Sequence, residues 1–166
     1  IRNCDWSSDV CSSDLDADFE AAVMGAISGI FAATGQTCIA GSRLLVQRTI
    51  HDKFVKRLVE VASEAKIGDP MSVETHVGPV TTAPQYEKIL QYIDVAKDDG
   101  ATCVLGGKPY TGDGIQGDRF VEPTIFTGVT NNMRIAQEEV FGPILSVIPF
   151  DTEDDAIRIE IGRAHV

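Results

Sequence analysis

The sequence has few of the features that define disulfide-rich, metal-binding or membrane proteins. Its four cysteines, at positions 4, 11, 38 and 103, form no CxxC pair, and its three histidines lack the spacing of zinc ligands. These absences exclude a disulfide scaffold and a zinc finger, and they favour a reducing cytoplasm. The sequence contains no run of about eighteen apolar residues. We therefore expect no membrane-spanning helix. We also expect no targeting peptide, because the N-terminus has neither a basic region that leads into an apolar stretch nor the character of a transit peptide.

Positive charge is also scarce. Fourteen Lys and Arg stand against 25 Asp and Glu, which gives a formal net charge of -11. A nucleic-acid partner is excluded on this ground, because a phosphate backbone requires a basic surface. Hydrophobic residues make up 43% of the 166 residues, enough for the core of one globular domain.

The two ends differ in character from the rest of the chain. The first stretch, IRNCDWSSDVCSSDL, is rich in Ser and Asp, and the last, EIGRAHV, interrupts an amphipathic segment. Both resemble peptides that arise when sequencing adapter is translated with a reading frame. We therefore expect residues 1–15 and 160–166 to be non-native and residues 16–159 to form one partial domain.

Apolar spacing predicts three helices in residues 16–159. The first follows Asp16 as N-cap, the second follows a strand from Arg43 to Ile50, and the third begins at Thr82 with Gln85 completing a capping box. The apolar positions that carry these predictions are Phe19, Val23, Ala26, Ile27 and Ile30; Phe54, Leu58, Val61, Ala62 and Ala65; and Tyr86, Ile89, Ile93 and Ala96.

Short apolar runs in the second half predict strands. They are CVLGG, FVEPTIF and ILSVIPF, and Gly106 and Gly107 are expected to form a turn rather than a nucleotide-binding loop. The predicted fold class is α/β, with helices on both faces of a mostly parallel sheet, and thus three layers.

Cys38 is the first candidate for chemistry. It follows the short loop Thr34–Thr37 and precedes the small residues Ala40, Gly41 and Ser42, a setting that lets a ligand approach a thiol. Taken alone, Cys38 fits a buried core cysteine better than a nucleophile, since free cysteine is among the most buried residue types.

Two motifs in order resemble those of the aldehyde dehydrogenase family. GQTCIAGSR, from Gly35 to Arg43, is similar to the family's nucleophile motif, and EEVFGP, from Glu138 to Pro143, is similar to a second family block. The resemblance extends through IGDP, VGP and EPTIF and covers residues 16–159. It implies the three-layer catalytic domain of that family, which is incomplete in this chain.

The resemblance implies a site. Cys38 would attack an aldehyde to form a thiohemiacetal and then a thioester, with NAD or NADP as cofactor, while Glu139 would contact the nicotinamide ribose and Phe141 would pack near the nicotinamide ring. The family's general-base glutamate and oxyanion asparagine would lie upstream of Asp16. The full-length protein would be a cytoplasmic homo-oligomer that acts on a small aldehyde.

The same residues fit other interpretations. A CoA-acylating semialdehyde dehydrogenase would pass the same thioester to coenzyme A, and a truncated relative would serve as a non-catalytic scaffold. Without the resemblance, Glu138 and Glu139 fit a solvated acidic pair before a turn, and Phe141 fits a core position.

Overall fold

The structure is a computed structural model that describes residues 11–13, 18–112, 115 and 117–161. Its helices and strands alternate along most of the chain. In chain order they are β1 Cys11–Ser13, α1 Phe19–Phe31, β2 Arg43–Gln47, α2 His51–Ser63, α3 Ala83–Asp98, β3 Thr102–Leu105, β4 Thr124–Thr127, α4 Arg134–Gln137, β5 Ile144–Phe150 and α5 Glu153–Ile161.

The strands form a mostly parallel sheet, as the sequence predicts. Their order is β1-β2-β5-β4-β3, and each neighbouring pair is parallel except β3 and β4, which are antiparallel. Parallel strands need crossover connections, and the helices between them supply these.

The core lies on both faces of the sheet. Along β5, Leu145 and Val147 pack on the face that α1 and α2 cover, whereas Ile144 and Ile148 pack on the face that α3, α4 and α5 cover. Side chains alternate between faces along a strand, and six of the seven β5 residues are buried, so β5 is covered on both sides. The three-layer architecture is therefore confirmed.

Several predicted boundaries are wrong by a few residues. Asp18, rather than Asp16, caps α1, because its side chain accepts a hydrogen bond from the Ala21 backbone N–H; Asp16 lies outside the described residues. β2 ends at Gln47 rather than Ile50, since the chain turns there and the Ile50 N–H donates to the Gln47 carbonyl. The short helix α4 was not predicted.

Both ends contribute backbone to the fold. Residues 11–13 pair in parallel with β2, with Ser12 opposite Leu45, and α5 continues through Glu160 to Ile161. The non-native origin of residues 1–15 and 160–166 stays a prediction. No helix among the described residues is long and apolar enough to span a membrane.

Candidate active site

The segment before Cys38 has a strained backbone. After α1, a 3₁₀ turn spans Ala32–Gly35, in which Ala33, Thr34 and Gly35 all have positive φ, at 48°, 59° and 66°. For alanine and a β-branched threonine this left-handed region is unfavourable. Such strain persists only where surrounding contacts hold it, and it tends to mark functional sites.

Those contacts come from the segment that precedes α3. The Gln36 side-chain oxygen accepts hydrogen bonds from the N–H and the hydroxyl of Thr81, both at 3.0 Å. The hydroxyl of the buried Thr34 donates to the Gly78 carbonyl at 3.3 Å. The loop that carries Cys38 is thereby fixed from one side.

Cys38 itself is exposed. It lies in a turn that closes where the Ala40 N–H donates to the Thr37 carbonyl, and the next residue, Gly41, donates to the Gly29 carbonyl of α1. No described residue accepts a hydrogen bond from the Cys38 backbone N–H. Exposure excludes the buried-core interpretation of Cys38 and leaves an accessible thiol.

Cys103 provides a contrast within the same chain. It is partly buried in β3, and its thiol donates to the Leu105 carbonyl at 3.2 Å. Burial raises the pKa of the Cys103 thiol, so less of the nucleophilic thiolate is present near neutral pH.

The second segment of the site, residues 138–142, is also strained. Phe141 has φ 60°. Among the described residues other than glycine, only Ala33, Thr34 and Phe141 have positive φ. The Gln85 side chain of α3 holds this segment by donating to the carbonyls of Val140, at 2.7 Å, and Phe141, at 3.0 Å. Lys88, one helical turn further on, donates to the Glu139 carbonyl at 2.8 Å.

The two strained segments meet at a pair of glycines. A Cβ atom on Gly35 would lie 2.2 Å from the Gly142 carbonyl oxygen, and a Cβ atom on Gly142 would lie 2.5 Å from the Ile89 side chain. Only glycine permits this approach, and at Gly35 only glycine adopts the backbone conformation without strain.

A small cleft, open to solvent, lies along this junction. Gly35 and Thr37 of the Cys38 loop line one side, and Glu139, Phe141 and Gly142 line the other. Glu139 is exposed and Phe141 is partly buried. The fold therefore brings Glu139 and Phe141 to a cleft beside the loop of Cys38, although Cys38 itself does not line it.

Glu138 and Glu139 have different environments. Glu138 accepts two hydrogen bonds from the Arg134 guanidinium, at 2.9 and 3.0 Å, and a further one from the Tyr92 hydroxyl. Arg134 and Tyr92 together lower the pKa of the Glu138 carboxyl to about 2. The same contact raises the pKa of the Tyr92 hydroxyl. Glu138 thus lies in a partly exposed ion pair with Arg134, whereas no described residue bonds the Glu139 carboxylate.

Sequence reasoning missed the residues that hold the cleft together. Gln85 was expected to complete a capping box, and Thr82 does accept from the Gln85 N–H, but the Gln85 side chain extends to residues 140 and 141 instead. Long-range contacts of Gln36 and Gln85 leave no local pattern in a sequence. The turn at Gly106 and Gly107 is confirmed, with positive φ at both residues.

Metal chemistry has no candidate among the residues described. No group of three or more His, Cys, Asp or Glu side chains there is arranged to hold an ion.

Comparison with known proteins identifies the family of the chain. The sequence model of the aldehyde dehydrogenase family matches residues 13–160. A betaine aldehyde dehydrogenase of Mesorhizobium japonicum is 51% identical over 142 residues, which are 86% of this chain and 29% of that protein. An aldehyde dehydrogenase of Aspergillus niger is 46% identical over 144 residues, 87% of this chain and 28% of that protein.

Solved structures show the same relationship. The chain superposes on a structure of Staphylococcus aureus betaine aldehyde dehydrogenase that was solved with NAD+ and a BME-modified cysteine. The TM-score is 0.91 and the sequence identity is 42%, and the match covers 94% of this chain and 32% of that one. The chain spans about 30% of the length of these relatives. It belongs to the aldehyde dehydrogenase family.

Proposed function

We propose that this chain is the nucleophile-bearing part of an enzyme that oxidises a small aldehyde to a carboxylic acid with NAD or NADP. The observation that carries the proposal is the junction at Gly35 and Gly142. It fixes the loop of the exposed Cys38 beside a cleft that Glu139 and Phe141 line. The proposal concerns the full-length protein, because the chain spans about 30% of its relatives.

Cys38 performs the bond-forming step. Its thiolate attacks the aldehyde carbon, a C–S bond forms, and the carbonyl oxygen of the substrate becomes the oxyanion of a thiohemiacetal. The Cys38 backbone N–H, which donates to no described residue, is available to stabilise that charge. Loss of a hydride from this adduct to the cofactor would give a thioester, and its hydrolysis by water would release the acid and return the thiol.

The residues of the cleft fit a nicotinamide cofactor. The exposed Glu139 carboxylate can accept two hydrogen bonds from the vicinal hydroxyls of a ribose, and the partly buried Phe141 adds an apolar surface for a flat ring. When bound, NAD or NADP supplies the hydride acceptor that turns the thiohemiacetal into a thioester. The fixed backbone of residues 140 and 141 keeps this side of the cleft in place for the cofactor.

The relatives direct the choice of substrate and cofactor for a first assay. Several of the curated relatives are betaine aldehyde dehydrogenases, and the Staphylococcus aureus relative was solved with NAD+. We therefore propose betaine aldehyde and NAD as the first pair to test. Assembly as a homo-oligomer and a cytoplasmic location belong to the same proposal.

The test uses the full-length protein that carries this segment. Aldehyde-dependent NADH formation is measured for the wild type, for Cys38→Ser and for Cys103→Ser as the matched control. We expect Cys38→Ser to abolish turnover and Cys103→Ser to retain it. Turnover that survives Cys38→Ser would exclude Cys38 as the nucleophile.

Two further measurements separate the alternatives. Product analysis with and without coenzyme A distinguishes release of a free acid from acylation of coenzyme A. Resequencing the source locus across residues 15–16 and 159–160 tests whether the terminal peptides are encoded. If they are encoded and nothing supplies an upstream base, the scaffold interpretation replaces the enzyme.

A further inference from the structure

One face of α3 contacts every residue of the segment 138–141. Gln85 bonds the carbonyls of residues 140 and 141, Lys88 bonds the carbonyl of Glu139, and the Tyr92 hydroxyl bonds the Glu138 carboxylate. Positions 85, 88 and 92 are three and four residues apart, so they lie on one side of the helix. Since α3 is anchored in the core through Ile89 and Ile93, it offers a rigid support.

Tyr92 and Arg134 hold Glu138 from two different elements. Arg134, the first residue of α4, donates two hydrogen bonds to the Glu138 carboxylate from two of its nitrogen atoms. The Tyr92 hydroxyl donates to the same carboxylate from α3. The Arg134 guanidinium also lies 5.6 Å from the centre of the Tyr92 ring. A bidentate arginine–carboxylate pair has a defined geometry, which a single lysine contact does not provide.

Glu138 is one peptide unit away from Glu139. The Glu138 carboxylate is held by three hydrogen bonds, which restrict the backbone conformation at residue 138. This backbone conformation in turn sets the direction of the Glu139 side chain. Nothing in the described structure holds the Glu139 carboxylate itself, which is exposed. Its placement at the cleft therefore depends on the neighbouring backbone.

We propose that Tyr92, Glu138 and Arg134 form a positioning cluster that presents Glu139 to the ribose of the nicotinamide cofactor. This inference rests on the proposed function for the identity of the ligand. The three residues act through Glu139 and need no contact with the cofactor. Their effect belongs to cofactor affinity and not to the reactivity of Cys38, which lies on the other side of the Gly35–Gly142 junction.

The experiment compares Tyr92→Phe and Glu138→Gln with the wild type in the full-length protein. Glu87→Gln is the matched control, because Glu87 is an exposed carboxylate on the same helix with no described partner. Three quantities are measured: the Kd of NAD by calorimetry, the rate of Cys38 alkylation, and amide hydrogen exchange over residues 138–142 without cofactor.

We expect Tyr92→Phe and Glu138→Gln to weaken NAD binding on the order of tenfold, about the effect of one charge-assisted hydrogen bond, and to speed amide exchange over residues 138–142. Cys38 alkylation should be unchanged, and Glu87→Gln should match the wild type throughout. A Kd within twofold of the wild type, or an equal loss of alkylation, overturns the proposal. If exchange responds as expected but the wild type binds no NAD, the proposed function fails and the assignment of the cluster to a cofactor fails with it.

Discussion

At the scale of single residues, the site depends on backbone conformations that most side chains disfavour. Ala33, Thr34 and Phe141 all have positive φ, and all three belong to the two segments that border the cleft. Strain of this kind costs about 1–3 kcal/mol per residue, so the surrounding hydrogen bonds must offset it. Gln36 and Gln85 provide those bonds.

Gly35→Ala tests this dependence. The added Cβ would lie 2.2 Å from the Gly142 carbonyl oxygen at φ 66°, so we expect a loss of stability of about 1–3 kcal/mol and slower turnover, since the cleft must open. Gly25→Ala is the control, because no atom lies within 4 Å of a Cβ there and alanine favours a helix by up to about 1 kcal/mol. Urea unfolding of both variants gives the comparison. Equal effects would show that the glycine junction is not under constraint.

The two described thiols should differ in reactivity. Cys38 is exposed, while Cys103 is partly buried with a raised pKa, so iodoacetamide should modify Cys38 much faster in the native full-length protein. Peptide mass spectrometry over a time course measures both rates, and modification after unfolding provides the reference. Similar rates in the native protein would contradict the described burial of Cys103.

At the scale of elements, α3 connects the two halves of the site. The segment before it holds the Cys38 loop through Thr81, and its own side chains hold residues 138–141. α3 begins at the Thr82 cap with Pro84 in its first turn, and both features were evident in the sequence. A displacement of this helix would therefore move both sides of the cleft together.

The contact between α3 and α4 should depend on pH. The pKa of Glu138 in the folded protein, about 2, lies below the pKa of an ordinary glutamate. Ionised Glu138 therefore makes its full contribution to stability when the pH is above the ordinary glutamate pKa. That contribution decreases as the pH falls towards 2. We expect the difference in unfolding free energy between wild type and Glu138→Gln to shrink from pH 6 to about pH 3. Because the carboxylate is partly exposed, the difference should be modest and should decrease with salt. A constant difference across this range would contradict the lowered pKa.

At the scale of the whole molecule, a buried cation attaches the last helix to the sheet. Arg43 in β2 is 1% exposed, and its guanidinium donates to Asn131 at 2.8 Å and to the carbonyls of Ile159 and Glu160, each at 3.2 Å. These carbonyls belong to the last turn of α5, where a positive charge is favourable. Arg43, which follows the Cys38 loop in the sequence, thus also links β2 to α5.

Arg43→Ala should destabilise the protein by about 3 kcal/mol, since partly buried carbonyls lose a charged donor and a cavity forms where the buried side chain stood. Arg48→Ala is the matched control. Arg48 also lies close to β2, but its ion pair with Asp151, at 2.7 Å, is more than half exposed and should contribute little to stability. Denaturant unfolding of the full-length variants measures both changes. An Arg43→Ala effect as small as that of Arg48→Ala would show that α5 does not depend on this contact.

The sequence by itself determined the fold class, the helices α1, α2 and α3, and the strand β5, because apolar periodicity and capping residues act over a few neighbouring positions. It also singled out Cys38, Glu139 and Phe141 through motifs that resemble those of a known family. Only the tertiary structure decided that Cys38 is exposed, that Gly35 meets Gly142, and that Glu138 pairs with Tyr92 and Arg134. The physical reason is that these contacts join residues up to about a hundred positions apart, and no local pattern specifies which side chains the packing of α3 against the sheet brings together.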